Sequence, residues 1–121
     1  TRSGGAAQSI SYSEDRTTEN IMLTHTVFFT LLDSSPEAIQ ALIEGAKTHL
    51  APHEGIRHFS AAPRAQGLDR PVTDTAFHVA LCIAFESRAA HDLYQETPAH
   101  QRFIDGLESN WAEVRVFDSE G

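Results

Sequence analysis

Tyr94 and His100 bracket the stretch 94-YQETPAH-100. An imidazole with an ordinary pKa near ~6.5 exchanges a proton at neutral pH. A phenol with a pKa near ~10 stays protonated there and donates a hydrogen bond to a carbonyl oxygen or a developing enolate. Together the two suit removal of a proton beside a carbonyl, as in an aldol-type cyclisation or an isomerisation. Six residues along one straight helix amount to about 600° of turn, which would place the two on different faces. A helix restarted at Thr97-Pro98 takes a new direction and lets both side chains reach one pocket mouth. The same residues also have an ordinary structural use. Pro98 opens a helix, His100 packs its first turn, and Tyr94 is a core-edge aromatic with a polar tip.

A third candidate, His25, stands on an otherwise apolar strand face, where a histidine is either a hydrogen-bonded core group or a pocket group. His49 and His53 have the i,i+4 spacing of a metal pair, with Glu54 as an oxygen donor. Pro52 ends the helix between them and no third ligand has a fixed spacing, so no metal is expected. A glycine-rich phosphate loop, a Cys-His framework and a nucleophile elbow are all missing, and no cofactor is expected.

These residues must be positioned by regular elements. The segment 21-IMLTHTVFFTLL-32 is rich in β-branched and aromatic residues and reads as a strand. Its parities are Leu23, His25, Val27, Phe29, Leu31 for the core and Met22, Thr24, Thr26, Phe28, Thr30 for a semi-polar face. Over residues 33–50, Ser35 as N-cap, Pro36 at the first helical position and Glu37 in the first turn start a helix. Its apolar stripe is Ile39, Leu42, Ile43, Ala46 and Leu50. A short strand is expected over 55–62 and a Pro-rich loop over 63–74. A third strand over 76–86 has core parity Phe77, Val79, Leu81, Ile83, Phe85 and a small-residue parity with His78, Ala80, Cys82, Ala84. The segment 87-SRAAHDLYQE-96 reads as a helix capped by Ser87. It restarts at Thr97-Pro98 and runs on through Phe103 and Leu107, with Trp111 in the last helical region. A last strand covers 112–118.

The order βαββαβ is the ferredoxin-like α+β arrangement, an antiparallel four-stranded sheet with two helices on one face. The other face, with Thr24, Thr26, Phe28, Ala80 and Cys82, is too apolar to stay fully wet. Two such sheets facing each other would cover it, so a homodimer in the form of an α/β barrel is expected. The chain has 121 residues, enough for one domain, with 17 acidic and 9 basic groups and a net charge of −8. That balance argues against nucleic acid or an anionic membrane as a partner. No apolar run approaches the roughly 20 residues of a membrane span. Cys82, the one cysteine, reads as a small buried hydrophobe. Residues 1–20 are polar and lack a signal-peptide core, so they read as a mobile leader before a domain at 21–121, with Met22 a candidate natural start and a cytoplasmic location expected.

From Met22 to Asp118 the chain resembles the stress-response A/B barrel family, the dimeric α/β barrel (Dabb) domains. The matching pieces are 23-LTHTVFF-29, 55-GIRHFS-60, 79-VALCIAFES-87, 94-YQETPAH-100 and 114-VRVFD-118. In the polyketide cyclase branch of that family, a Tyr and the His of Pro-Ala-His are the catalytic pair, and a first-strand His lines the same pocket. The resemblance places these roles on Tyr94, His100 and His25. A third-strand pocket His of that branch falls on Val79 here, and His78, one residue away, faces the other side. Thr97 stands where a His is common before the Pro. The implied function is a small-molecule binder or enzyme with cyclase-like proton transfer in a pocket between sheet and helices. Phe29, Ile39, Leu42, Ile43, Leu81, Phe103 and Trp111 would wall that pocket around a small apolar or aromatic ligand. The alternative is a non-catalytic dimeric module for stress response or assembly. A cavity of about 300 Å³ or more favours the first reading and a filled core the second.

Overall fold

The computed structural model describes residues 21–121, and the leader expected over residues 1–20 lies outside the described residues. The elements are β1 (Leu23–Leu31), α1 (Pro36–His49), β2 (Ile56–Pro63), β3 (Val79–Phe85), α2 (Arg88–Gln95), α3 (Pro98–Leu107), a 3₁₀ turn (Glu108–Asn110) and β4 (Trp111–Glu120). The strands form one antiparallel sheet in the order β2-β3-β1-β4. This is the ferredoxin-like arrangement, with its second helix broken into α2 and α3.

Each helix begins where a short hydroxyl side chain can satisfy an orphan backbone donor. The Ser35 hydroxyl accepts from Ala38 N at 3.2 Å, Ser87 from Ala90 N at 3.1 Å, and Thr97 from His100 N at 3.1 Å. Pro36 and Pro98 occupy first-turn positions where no N–H is needed. Alternation does the same work in the strands. All five odd-numbered residues of β1 are buried and all four even ones are half-buried. The odd set meets Val79, Leu81, Ile83 and Phe85 of β3, and Leu42, Ile43, Ala46 and Leu50 close the core from the helix side. Ile83, Phe85 and Leu50 are 0 % exposed. Each such side chain contributes about 1.5–3 kcal/mol by leaving water.

The structure departs from the sequence reading at three places. β3 begins at Val79, not at residue 76. Phe77, expected in the core, instead lies edge-on to Phe28 at 4.9 Å on the opposite face of the sheet. The chain ahead of Val79 has left regular strand geometry, so the alternation no longer governs it. Trp111 opens β4 and does not lie in a helix, because the 3₁₀ turn ends the helical run at Asn110. His78, expected to face a second sheet, turns its Nδ1 to accept from Leu31 N at 2.9 Å and so closes the end of β1.

Gly55 joins α1 to β2 with φ +87°, a left-handed conformation that glycine adopts freely. Its carbonyl accepts from Glu86 N at 2.7 Å at the end of β3. A Cβ added here would stand 2.6 Å from Ala90 Cβ in α2. Gly55→Ala combines backbone strain with a clash against a helix that carries the site, and should lower stability by about 1–3 kcal/mol. Urea unfolding measures this, and a loss below about 0.5 kcal/mol would contradict the close approach.

Candidate active site

A cavity of about 200 Å³ lies between the helix side of the sheet and the α2-α3 pair. β1 contributes His25, Val27 and Phe29, and β3 contributes Leu81. Tyr94 and Gln95 come from α2, His100, Phe103 and Ile104 from α3, and Trp111, Val114 and Val116 from β4. α1 lies over β2 and β3, which leaves the β4 side of the sheet thinly covered. Val114 and Val116 are accordingly 40 % and 50 % exposed, and the mouth opens there. Trp111 fills the far end, its ring 4.9 Å from Phe29 and 5.7 Å from Phe103.

The polar groups enter from three directions. Tyr94 is 1 % exposed and occupies the centre. Its ring centroid lies 4.9 Å from His100, 5.2 Å from His53, 6.3 Å from His25 and 6.5 Å from His91. His25 is 5 % exposed, and its Nδ1 lies 2.5 Å from Asp118 Oδ1. The two are direct cross-strand partners in the β1-β4 register. His53 is engaged at both nitrogens, Nδ1 with Leu50 O at 2.9 Å and Nε2 with Thr97 Oγ1 at 3.0 Å. Neither the Tyr94 hydroxyl nor the His100 imidazole makes a hydrogen bond among the described residues.

Seven of the ten residues singled out in the sequence therefore line one cavity: His25, Tyr94, His100, Phe29, Leu81, Phe103 and Trp111. Ile39, Leu42 and Ile43 do not. Leu42 and Ile43 are 2 % and 4 % exposed and fill the core beneath α1, and Ile39 packs against that core. α1 sits over the wrong strands to wall the cavity.

The sequence reading missed Asp118 and His91, and also Gln95, Ile104 and the valines of β4. Two signals would have found the first pair. Antiparallel pairing with period-2 alternation puts Val114, Val116 and Asp118 on the face of His25. His91 precedes Tyr94 by three residues, which on a helix is the same side.

Residues 23–120 match the family model of the stress responsive A/B barrel domain. Among curated proteins none matches the chain in sequence. Several solved structures share the fold. A Dabb family protein with a ferredoxin-like fold from Mesorhizobium loti is 26% identical with a TM-score of 0.68, and the match covers 82% of this chain and 95% of that one. A dimeric ferredoxin-like protein of unknown function from Jannaschia is 21% identical with a TM-score of 0.68, over 83% of this chain and 99% of that one. The hydroxynitrile lyase of Passiflora edulis is 16% identical with a TM-score of 0.67, over 83% of this chain and 93% of that one.

Burial shifts the titration of Tyr94 and His100. It pushes the Tyr94 phenol well above its ordinary range, so the hydroxyl keeps its proton at all physiological pH values. Burial also lowers His100, helped by the nearby imidazoles of His25, His53 and His91, which disfavour a further positive charge. His100 is therefore neutral at pH 7 and able to accept a proton.

The same shift makes stability depend on pH. The unfolded chain takes up the His100 proton first, so this group costs nothing above its ordinary value of 6.5 and destabilises the fold as pH drops below it. His100→Gln should flatten part of the fall in melting temperature between about pH 7 and pH 5. An equal fall in variant and parent would show that His100 titrates as in water.

Proposed function

The chain belongs to the stress responsive A/B barrel domain family, and from that premise we propose that it is a small-molecule enzyme transferring a proton beside a carbonyl group. The observation that carries this reading is that Tyr94 and His100, whose hydroxyl and imidazole have no hydrogen-bond partner among the described residues, line one apolar cavity. For the buried Tyr94 hydroxyl, lacking a partner costs about 1–3 kcal/mol, and a substrate oxygen is one way to satisfy it. The neutral imidazole of His100 takes the proton from the carbon beside the carbonyl. The C–H electron pair becomes the enolate double bond, and the carbonyl π pair moves onto oxygen. The Tyr94 hydroxyl donates to that oxygen as charge builds. His25, held by Asp118, presents its ring to the same cavity as a second polar wall. Return of the proton to the same carbon exchanges it, and attack of the enolate on a second carbonyl closes a ring.

Among the described residues the lining has no Lys, Arg, Asp or Glu, which suits a substrate that is uncharged where it is enclosed. An apolar cavity of about 150 Å³ accommodates benzene, so one of about 200 Å³ holds a single substituted ring. The Passiflora hydroxynitrile lyase supports the reading only in that the same fold carries a lyase.

A second reading, a non-catalytic dimeric module, is favoured by the cavity's size, since about 200 Å³ falls below the roughly 300 Å³ of usual ligand pockets. Exchange of α-hydrogens of acetophenone for deuterium, followed by NMR, separates the two. The enzyme reading expects saturable exchange above the buffer rate, reduced about 100-fold or more in His100→Ala and about 100-fold in Tyr94→Phe. His58→Ala, on exposed β2, should leave it unchanged. No saturable exchange with acetophenone would favour the module.

We also propose that the protein is a homodimer through the sheet face away from the helices. Support comes from the dimeric neighbour and from that face itself. Thr26 pairs with Cys82 and Phe28 with Ala80, and Phe28 meets Phe77 and Phe117 edge-on, the last 54 % exposed. Light scattering at micromolar concentration should show twice the chain mass, and Cys82→Asp should shift it to the monomer, because an unpaired charge buried there costs several kcal/mol. A Cys82→Asp variant that stays dimeric would place the interface elsewhere.

A further inference from the structure

Beside the cavity, and sharing only His25 with it, three chemically matched groups converge from three elements. They are His25 of β1, Asp118 of β4 and His91 of α2. One ligand atom of each lies within 4.8 Å of the others. The His25 and His91 rings stand 5.1 Å apart and tilted by 59°. We propose that these three residues form a binding site for one divalent transition-metal ion of the zinc, cobalt or iron(II) class.

The donor set selects that class. Two imidazoles and one carboxylate suit borderline transition ions, whereas magnesium and calcium prefer all-oxygen sites. Three protein ligands also leave further positions of the ion open, as in catalytic zinc sites. The hydrogen bonds around His91 already suit a ligand. Its Nδ1 lies 3.0 Å from Asp92 Oδ1, which is an acceptor only, so this nitrogen carries the ring proton. Its Nε2 then holds a lone pair, contacted at 3.3 Å by Gln95 Nε2. A carboxylate behind a ligating histidine is the usual supporting partner in metal sites, because it fixes the tautomer and raises basicity. Gln95 is exposed and free to turn aside.

The remaining adjustment is small. Ligand atoms at about 2.0–2.2 Å from an ion lie roughly 3–3.5 Å from one another. From the 4.8 Å bound, His91 must close by at most about 1.3–1.8 Å, and the His25–Asp118 contact must open from 2.5 Å by about 0.5–1 Å. His91 already packs beside His25, its side chain only 15% exposed, so the movement is a turn of the ring toward its neighbour. In the metal-bound form the ion takes the place of the proton between His25 Nδ1 and Asp118, and the ring proton shifts to Nε2. The chain's net charge of −8 draws cations toward it. His49 and His53, whose spacing suggests a metal pair, are not among the three converging groups.

The test uses the full chain, stripped with a chelator and titrated with Co²⁺, then with Zn²⁺. One Co²⁺ per chain should bind with visible ligand-field bands, raise the melting temperature, and be displaced by Zn²⁺. His91→Ala and Asp118→Asn should each weaken Co²⁺ binding at least about tenfold, consistent with loss of a ligand. His49→Ala and His58→Ala should leave it unchanged. His91→Cys keeps a ligand at the same place and should restore binding, with a sulfur-to-cobalt charge-transfer band absent from the parent. Absence of saturable Co²⁺ binding in the parent, or binding unaffected by His91→Ala, would overturn the site. A His91→Ala variant whose melting temperature falls while the parent binds no ion would identify His91 as a packing group alone.

Discussion

The Thr97 hydroxyl holds the junction on which the candidate site depends. It receives the N–H of His100 at 3.1 Å, reaches the carbonyl of Tyr94 at 3.0 Å and meets His53 Nε2 at 3.0 Å. One small polar group thus ends α2, starts α3 and ties both to the loop that follows α1. Pro98 makes the break obligatory, because a continuous helix could not supply the N–H that proline lacks. The consequence is the 4.9 Å approach of the Tyr94 and His100 rings. Along an unbroken helix six residues would have pointed them apart. A change of chain direction, and not an unusual side chain, is what assembles the pair.

Most of the fold is legible in the sequence because its signals are local. Ser35-Pro36, Ser87 and Thr97-Pro98 are helix starts that need no tertiary information. The alternation in β1 survives intact because that strand is central, flanked by β3 and β4 and covered by helices. The reading fails where alternation outruns the strand. Phe77 continues the parity of Val79 in sequence, but the chain there is already turning, and the ring goes to the other face. Trp111 is misplaced because a helix ending in a 3₁₀ turn cannot be told from a longer one by spacing alone.

The site is legible in its centre and not at its edges. Tyr94, His100 and His25 stand out through residue type and through resemblance. Asp118 does not, since its importance comes from facing His25 across a ladder whose register only the folded sheet reveals. Ile39, Leu42 and Ile43 read as pocket residues because an apolar helix stripe looks the same whether it walls a cavity or fills a core. The strand order decides between them: α1 covers the β2-β3 half of the sheet, and the cavity lies over the β1-β4 half. The histidines crowd the boundary between these halves, where Tyr94 fills the space they share.

β4 runs for ten residues as an outer strand, paired among the described residues only with β1. Its far side offers a row of backbone donors and acceptors with no neighbouring strand, a template on which copies of the chain could stack edge to edge into fibres. The residues along it counter that tendency. Glu113, Arg115, Asp118 and Glu120 interrupt the apolar run of Val114, Val116 and Phe117. Arg115 is tied to Asp74 at 3.1 Å and Glu120 to Arg88 at 2.7 Å, so the middle and the C-terminal end of the strand are bound to the body of the domain. The strand that leaves the cavity open to visitors is thereby kept from recruiting its own kind without limit.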